Sequence, residues 1–266
     1  MISLENVSKK FGTGVFGLSN ISFAVERGEF VFLIGPTGSG KTTIFKLLIR
    51  ETLPTSGTIV VSSWDLIKLP SQKIPDLRKK IGMVFQDLKL LTDRTILENV
   101  VLPLEVAGVK SSDAVKRAEE ILNQVGIIDH KDKFPIQLSG GELQRAAIAR
   151  ALILSPEILL ADEPTGNLDD DTSWEIVKLL SEINDRGTTI IMATHNKEIV
   201  KKLNKRIIEL NKGEMINDKS HKETKVHEEE KKEEHAPHES HHKDEKHEEG
   251  KADDKIKTDD FEEALK

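Results

Sequence analysis

The sequence predicts an α/β fold: a mostly parallel sheet covered on both faces, with an antiparallel β subdomain at one edge and a helical subdomain set into it. Three observations predict this. Short apolar runs alternate with stretches of helical spacing, the pattern of parallel strands joined by crossover helices. One apolar run passes directly into a glycine-rich turn and then a helix. The chain also opens on closely spaced β-like runs and continues to a hairpin around Lys212-Gly213, which adds antiparallel pairing at the edges.

Taken in order, residues 2–7, 21–25 and 29–34 read as strands, the last as Phe30-Val31-Phe32-Leu33-Ile34. Residues 42–50 follow with Ile44, Leu47 and Leu48 on one helical face. Further buried strands are predicted at 58–61, 81–85, 158–161 and 189–193. Helices are predicted at 114–125, 142–154 and 170–184. The hairpin is predicted at 206–210 and 214–216. The helix signal is densest between about 88 and 151, which marks the helical subdomain. No internal repeat is visible.

The chain has 266 residues, and its hydrophobic share of 37% is low for a compact α/β protein. The deficit is local. Residues 218–266 contain 11 Lys against 18 Asp and Glu, which leaves 28 basic and 28 acidic residues in 1–217. The folded part is thus formally neutral, and the net charge of −7 belongs to the tail. A neutral body gives no electrostatic reason for a nucleic-acid partner. With no Cys, disulfides, thiol catalysis and Cys-ligated zinc are excluded. No apolar run reaches the roughly 18–20 residues that span a bilayer, so work at a membrane would need a second chain to supply the span.

Gly35-Pro36-Thr37-Gly38-Ser39-Gly40-Lys41-Thr42 sits between an apolar strand and a helix. It fits G-x-x-x-x-G-K-[ST], which makes the fold a P-loop NTPase core. Glycines let the backbone curl so that its N–H groups face phosphate oxygens, and the helix N-terminus adds its dipole. Lys41 reaches the β- and γ-phosphates of ATP, and the Thr42 hydroxyl can ligate Mg²⁺. Thr43 completes the loop's contacts. A second element, Ile158-Leu159-Leu160-Ala161-Asp162-Glu163, ends an apolar strand in two acids. Alone, it would read as an ordinary capped loop. Beside a phosphate loop, Asp162 becomes the Mg²⁺ holder, directly or through water, and Glu163 the group that polarises an attacking water.

Leu138-Ser139-Gly140-Gly141-Glu142 precedes a helix carrying Gln144 and Arg145. It reads as a helix cap with Ser139 or the glycine pair at the cap position, and also as a second anion site. Two anion sites with one phosphate loop make sense if two copies meet head to tail, each covering the other's ATP.

On this element the sequence resembles the ABC ATPase family over about residues 1–217, with the family's motifs in order. The resemblance implies that Gln86, in Val84-Phe85-Gln86-Asp87, contacts Mg²⁺ or the attacking water. It implies that Gly166-Asn167-Leu168-Asp169 crosses the dimer interface, with Asp169 near nucleotide, and that His195 contacts the γ-phosphate. It places an aromatic ring at Phe11 against adenine, where the family usually has Tyr; Phe16 competes for that role. Ser139, Gly140, Gly141 and Glu142 would meet the ATP of the other copy. Taken alone, Gln86 and His195 would each pass for a strand-end polar residue and Phe11 for core; their order together carries the assignment. His130, in a polar loop with no motif, reads as surface.

Within the family, Arg78 to Asp87, Leu90-Leu91-Thr92-Asp93-Arg94-Thr95, Glu98-Asn99-Val100 and Leu102-Pro103-Leu104-Glu105-Val106 are similar to the cell-division ATPases of FtsE type. That branch implies an FtsX-like integral membrane partner, attachment to the cytoplasmic face of the membrane through it, and control of peptidoglycan hydrolases by ATP cycles. Lipoprotein-release and macrolide-export ATPases are the competing relatives. A non-transport ABC ATPase is a further alternative, although long heptads and a second nucleotide unit are both missing. A pure ATP-binding module is disfavoured by Glu163 and His195.

The tail is polar and low in complexity, so disorder is expected. It reads as a solvated extension, as a loose metal site using His221, His227, His235, His238, His241, His242 and His247, or as a docking segment near Phe261 to Leu265.

Overall fold

A computed structural model describes residues 1–12, 14 and 16–219, with only the backbone of Phe16. The expectations for the tail therefore lie outside the described residues from Ser220 onward.

The strands are β1 (Ile2–Lys10), β2 (Phe16–Val25), β3 (Phe30–Ile34), β4 (Ser56–Val61), β5 (Trp64–Asp65), β6 (Ile81–Val84), β7 (Ile158–Asp162), β8 (Thr189–Thr194), β9 (Arg206–Asn211) and β10 (Glu214–Lys219). The α-helices are α1 (Lys41–Leu48), α2 (Ile74–Lys79), α3 (Ile96–Val106), α4 (Ser111–Gln124), α5 (Gly140–Leu152), α6 (Asp170–Asp185) and α7 (Lys197–Leu203).

The strands form two sheets. A six-stranded sheet has the order β10-β9-β3-β8-β7-β6, parallel throughout except for the β9–β10 hairpin. A four-stranded antiparallel sheet has the order β2-β1-β4-β5. The central strands are buried on both faces, which explains their unbroken apolar runs. Alternation divides them cleanly. Phe30, Phe32, Leu159, Ala161, Ile190 and Met192 face a core built with α3 to α7. Val31, Leu33, Ile158, Leu160, Ile191 and Ala193 face the other core, where β1, β2, β4 and α1 pack.

Three helices, α2, α3 and α7, were hidden in the sequence; α2 has only six residues. α3 contains Pro103, which weakens its helical reading, yet Thr95 and Glu98 form a capping box that starts it. The Asn196 side chain caps α7 by accepting from the N–H groups of Glu198 (3.0 Å) and Ile199 (3.2 Å), and left-handed Asn204 ends it.

The hairpin runs further than the sequence suggested. Asp218 and Lys219, assigned above to the tail, belong to β10. The reason is tertiary. Arg206 donates through Nη2 to Asp218 Oδ2 at 2.7 Å and through Nη1 to Glu29 Oε1 at 2.9 Å. Those carboxylates hold the guanidinium's proton more tightly than usual. Among the described residues, no helix is long and apolar enough to cross a membrane.

Candidate functional site

The carboxyl ends of β3, β7 and β8 converge, the place where open α/β sheets bind ligands. The turn after β3 is the glycine-rich loop. Gly35, Gly38 and Gly40 all have positive φ (150°, 78° and 110°). At Gly40 contact reinforces the backbone demand: a Cβ would lie 2.6 Å from Leu18 Cδ2 and 2.8 Å from Gly17 O. The loop is also tied to the hairpin, because Gly213 donates its N–H to Ser39 O at 3.0 Å. Replacing Gly40 by Ala is expected to cost about 2 kcal/mol of stability and to weaken ATP binding by about tenfold or more. Urea unfolding and titration with a fluorescent ATP analogue measure the two effects. Wild-type values in both would show that the loop accommodates a Cβ.

Lys41 opens α1 and is almost buried; its ammonium donates to Gly35 O at 2.8 Å and Pro36 O at 3.3 Å. It also lies 3.6 Å from Glu163 Oε1. Glu163 follows β7 with φ 49°, a left-handed turn that directs it away from Asp162 and toward Lys41 and His195. His195, after β8, places Nδ1 2.8 Å from Glu163 Oε2. Glu163 is therefore within reach of the other two sequence-predicted residues.

Thr42 and Asp162 make a second pair. The Thr42 hydroxyl donates to Asp162 Oδ2 at 2.9 Å. Asp162 is 4% exposed, and its Oδ1 has no hydrogen-bond partner among the described residues. Burial pushes this carboxyl up, and the Thr42 bond pulls the other way. A hydroxyl and a buried carboxylate with a spare oxygen are the hard donors that Mg²⁺ takes alongside phosphate oxygens. The residues fit the ion. Ser39 Oγ, buried in the loop, also lacks a hydrogen-bond partner among the described residues.

Phe11, Gly17 and Gly38 to Thr43 line an open cleft of about 310 Å³, within the range of small-molecule sites. Phe11 is half-exposed at its rim, which suits a ring offered to a base. The Phe16 side chain lies outside the described residues, so only Phe11 can be placed. Pro36 and Thr37 are exposed in the loop. Gln86 is exposed just beyond β6.

Ser139 is the cap residue of α5, which resolves the choice left open by the sequence. Its N–H and hydroxyl meet Glu142 Oε2 at 2.7 and 2.8 Å, and these bonds hold the Glu142 carboxyl below its usual range. Glu142 is thus occupied with Ser139 itself. Gly140 and Gly141 form the first turn; a Cβ on Gly141 would press on Thr172. Asp169 caps α6 and accepts from Thr172 N at 2.9 Å. Among the described residues, no bond links this second group to Lys41, Thr42 or Glu163.

Three functional neighbours escaped the sequence reading. His130, read as surface, is half-buried with Nδ1 3.1 Å from Glu142 Oε1, off the line of a hydrogen bond. Buried Asn99 and partly buried Arg150 hold the segment after Gln86. The Ser139-x-x-Glu142 spacing was a legible capping box. The other contacts are tertiary and have no local signal.

Residues 18–166 match the family described as ABC transporter. The chain is 48% identical to the cell division ATP-binding protein FtsE of Bacillus subtilis, covering 84% of this chain and 98% of that protein. It is 43% identical to FtsE of Escherichia coli K12, covering 83% and 100%. Among solved structures, a dimeric post-hydrolysis state of the ATP-binding cassette MJ0796 with ADP and Pi matches with TM-score 0.76 at 36% identity, over 83% of this chain and 98% of that one. The cbiO1 protein of Clostridium perfringens matches with TM-score 0.78 at 31% identity, over 87% and 93%. With these similarities along the folded chain, the protein belongs to the ABC transporter family and is one of its ATPases.

Proposed function

We propose that the chain is the ATP-hydrolysing subunit of a membrane-attached complex of FtsE–FtsX type, working as a head-to-tail dimer that closes on ATP. The observation that carries the chemistry is Glu163 held between Lys41 and His195, beside the Thr42–Asp162 pair. Support for the division role comes from the FtsE relatives.

In this reading Phe11 stacks on adenine, and Gly35 to Thr43 wrap the phosphates. Thr42, Asp162 and Gln86 would hold Mg²⁺, which when bound neutralises charge developing on the transferred phosphoryl group. Lys41 adds fixed positive charge at the same place. Glu163 orients water for in-line attack and accepts its proton. His195 steadies the Glu163 carboxylate and contacts the γ-phosphate. Ser139, Gly140, Gly141, Glu142 and Asp169 of one copy complete the site of the other. The ATP-binding domain is read as ending with β10, with a helical subdomain near 88–151. The site then works at the cytoplasmic face of the membrane, through an FtsX-like partner that passes motion to peptidoglycan hydrolases.

One observation favours a second reading. The cbiO1 neighbour is described as part of an ABC transporter complex, and its fold match is as good as that of the dimeric cassette. Export or lipoprotein release by a related transporter would use the same ATPase. Co-purification of the full chain from native membranes, with and without Glu163→Gln, separates the two. An FtsX-like protein in the eluate supports the division role. A transporter permease instead moves the function to transport and leaves the ATPase chemistry intact.

A further inference from the structure

Gln86 belongs to an irregular segment after β6 that reaches the N-terminus of α3. Such a segment has few backbone hydrogen bonds of its own, so its position depends on side chains from elsewhere. Two buried or partly buried polar side chains supply them. From α3, Asn99 accepts the Leu91 N–H through Oδ1 at 2.7 Å and donates through Nδ2 to Leu91 O at 3.0 Å, Arg94 O at 3.2 Å and Thr95 O at 2.9 Å. From α5, Arg150 donates through Nη2 to Leu88 O and through Nη1 to Lys89 O. Lys89 has φ 57°, a left-handed residue at the bend.

The Arg150 contact is the more telling of the two. Burial works against the charged guanidinium, and the two carbonyls compensate as charge-assisted bonds in a forked geometry that Lys cannot reproduce. The same end of α5 is locked to β6 by contact. A Cβ on Gly82 would lie 3.1 Å from Pro156 Cγ and would collide with Ala151 O. The last turn of α5 therefore grips both the strand before Gln86 and the segment after it. The first turn of the same helix carries the Ser139 cap, about 16 Å away at 1.5 Å per residue.

We propose that Arg150 is a positioning residue: its guanidinium fixes the segment that carries Gln86 to the helix that carries Ser139, so the part of this chain's own ATP site at Gln86 and the part it lends to the partner copy's site at Ser139 move as one body. The inference rests on the role proposed above for Gln86. It adds a residue that touches neither nucleotide nor metal, and a polar link on the far side of Gln86 from the Gly82 packing contact. A push on the segment after Gln86 would reach Ser139 through a rigid helix rather than through a flexible loop.

The test compares Arg150→Lys, Arg150→Met and Gln86→Ala in the full chain. Steady-state ATPase with Mg²⁺, thermal melting and amide hydrogen exchange across residues 86–91 are read for each. Arg150→Lys keeps the charge and loses the fork. It is expected to lower kcat by about tenfold, with KM for ATP within about twofold and melting unchanged. Exchange across 86–91 is expected to accelerate by about tenfold or more. Arg150→Met is expected to exceed both effects. Unchanged exchange in Arg150→Lys overturns the clamp, whatever the activity does. Faster exchange with wild-type kcat, while Gln86→Ala loses activity, overturns the positioning role. A loss of kcat matched by an equal loss in melting overturns it as well, since a merely structural role would give that pattern. Wild-type activity in Gln86→Ala would sink the reading of Gln86 itself, and exchange would still decide the clamp.

Discussion

Glu163→Gln is expected to lower ATP turnover by about a thousandfold, or about 4 kcal/mol in the barrier, and to leave ATP binding intact. The reasoning starts from position. Glu163 is nearly buried, and its two oxygens are divided between Lys41 (3.6 Å) and His195 (2.8 Å). A carboxylate there can accept a proton from an attacking water as the water adds to phosphorus. An amide of the same shape can still orient a water but takes no proton. The substitution leaves the backbone alone. Gln meets the same left-handed conformation that Glu meets at φ 49°, so no new strain enters the turn after β7. The nucleotide loop, the Thr42–Asp162 pair and the α5 cap are untouched. ATP should therefore bind and hold two copies together. With Mg-ATP, gel filtration should show a dimer that persists for the variant and decays for the wild type. A turnover loss of less than tenfold would remove Glu163 from the proton-accepting role. A thousandfold loss accompanied by loss of ATP binding would mean that its charge serves mainly to support Lys41.

What the sequence revealed and what it hid have a common physical basis. Elements whose signal is local were legible. The apolar run before Gly35, the glycines of the loop and the two acids after Ala161 each act through neighbours a few residues away. Ser139 and Glu142 likewise make a box within one helical turn. The helices α2, α3 and α7 were missed because their evidence is mixed: Pro103 interrupts α3, and α2 and α7 have only six and seven residues. The end of the hairpin was misplaced because Asp218 looks like the start of an acidic tail until Arg206 is seen across the sheet. Arg150 and Asn99 have no motif at all. Their meaning depends on carbonyls up to 62 positions away in the chain, which only the folded protein brings to them.

The separation of the two elements proposed to bind anions yields the last expected result. Lys41 lies at the carboxyl ends of β3 and β7, and Ser139 caps a helix on the opposite core; among the described residues neither side chain bonds to the other or to the other's bonding partners. If each complete site takes Lys41 from one copy and Ser139 from the other, either loss should inactivate a homodimer. Lys41→Ala removes the charge at the phosphates, and Ser139→Arg fills an exposed cap with bulk. Each variant alone is expected to lose about a hundredfold or more in turnover. Mixed one to one, random pairing makes half the dimers hybrid. In each hybrid both lesions fall in one site and the other site is intact. The mixture should then recover about a quarter of wild-type activity, since the symmetry of a two-fold dimer fixes that fraction. Ser139→Arg also removes a helix cap, worth about 1 kcal/mol, so melting curves must show both variants folded before mixing. Recovery on mixing two inactive proteins has no explanation in which each chain works alone. If the mixture stays as inactive as its components although both are folded and hybrids form, the site is not shared in this way. The second anion-binding element would then need a role outside the ATP bound by its neighbour.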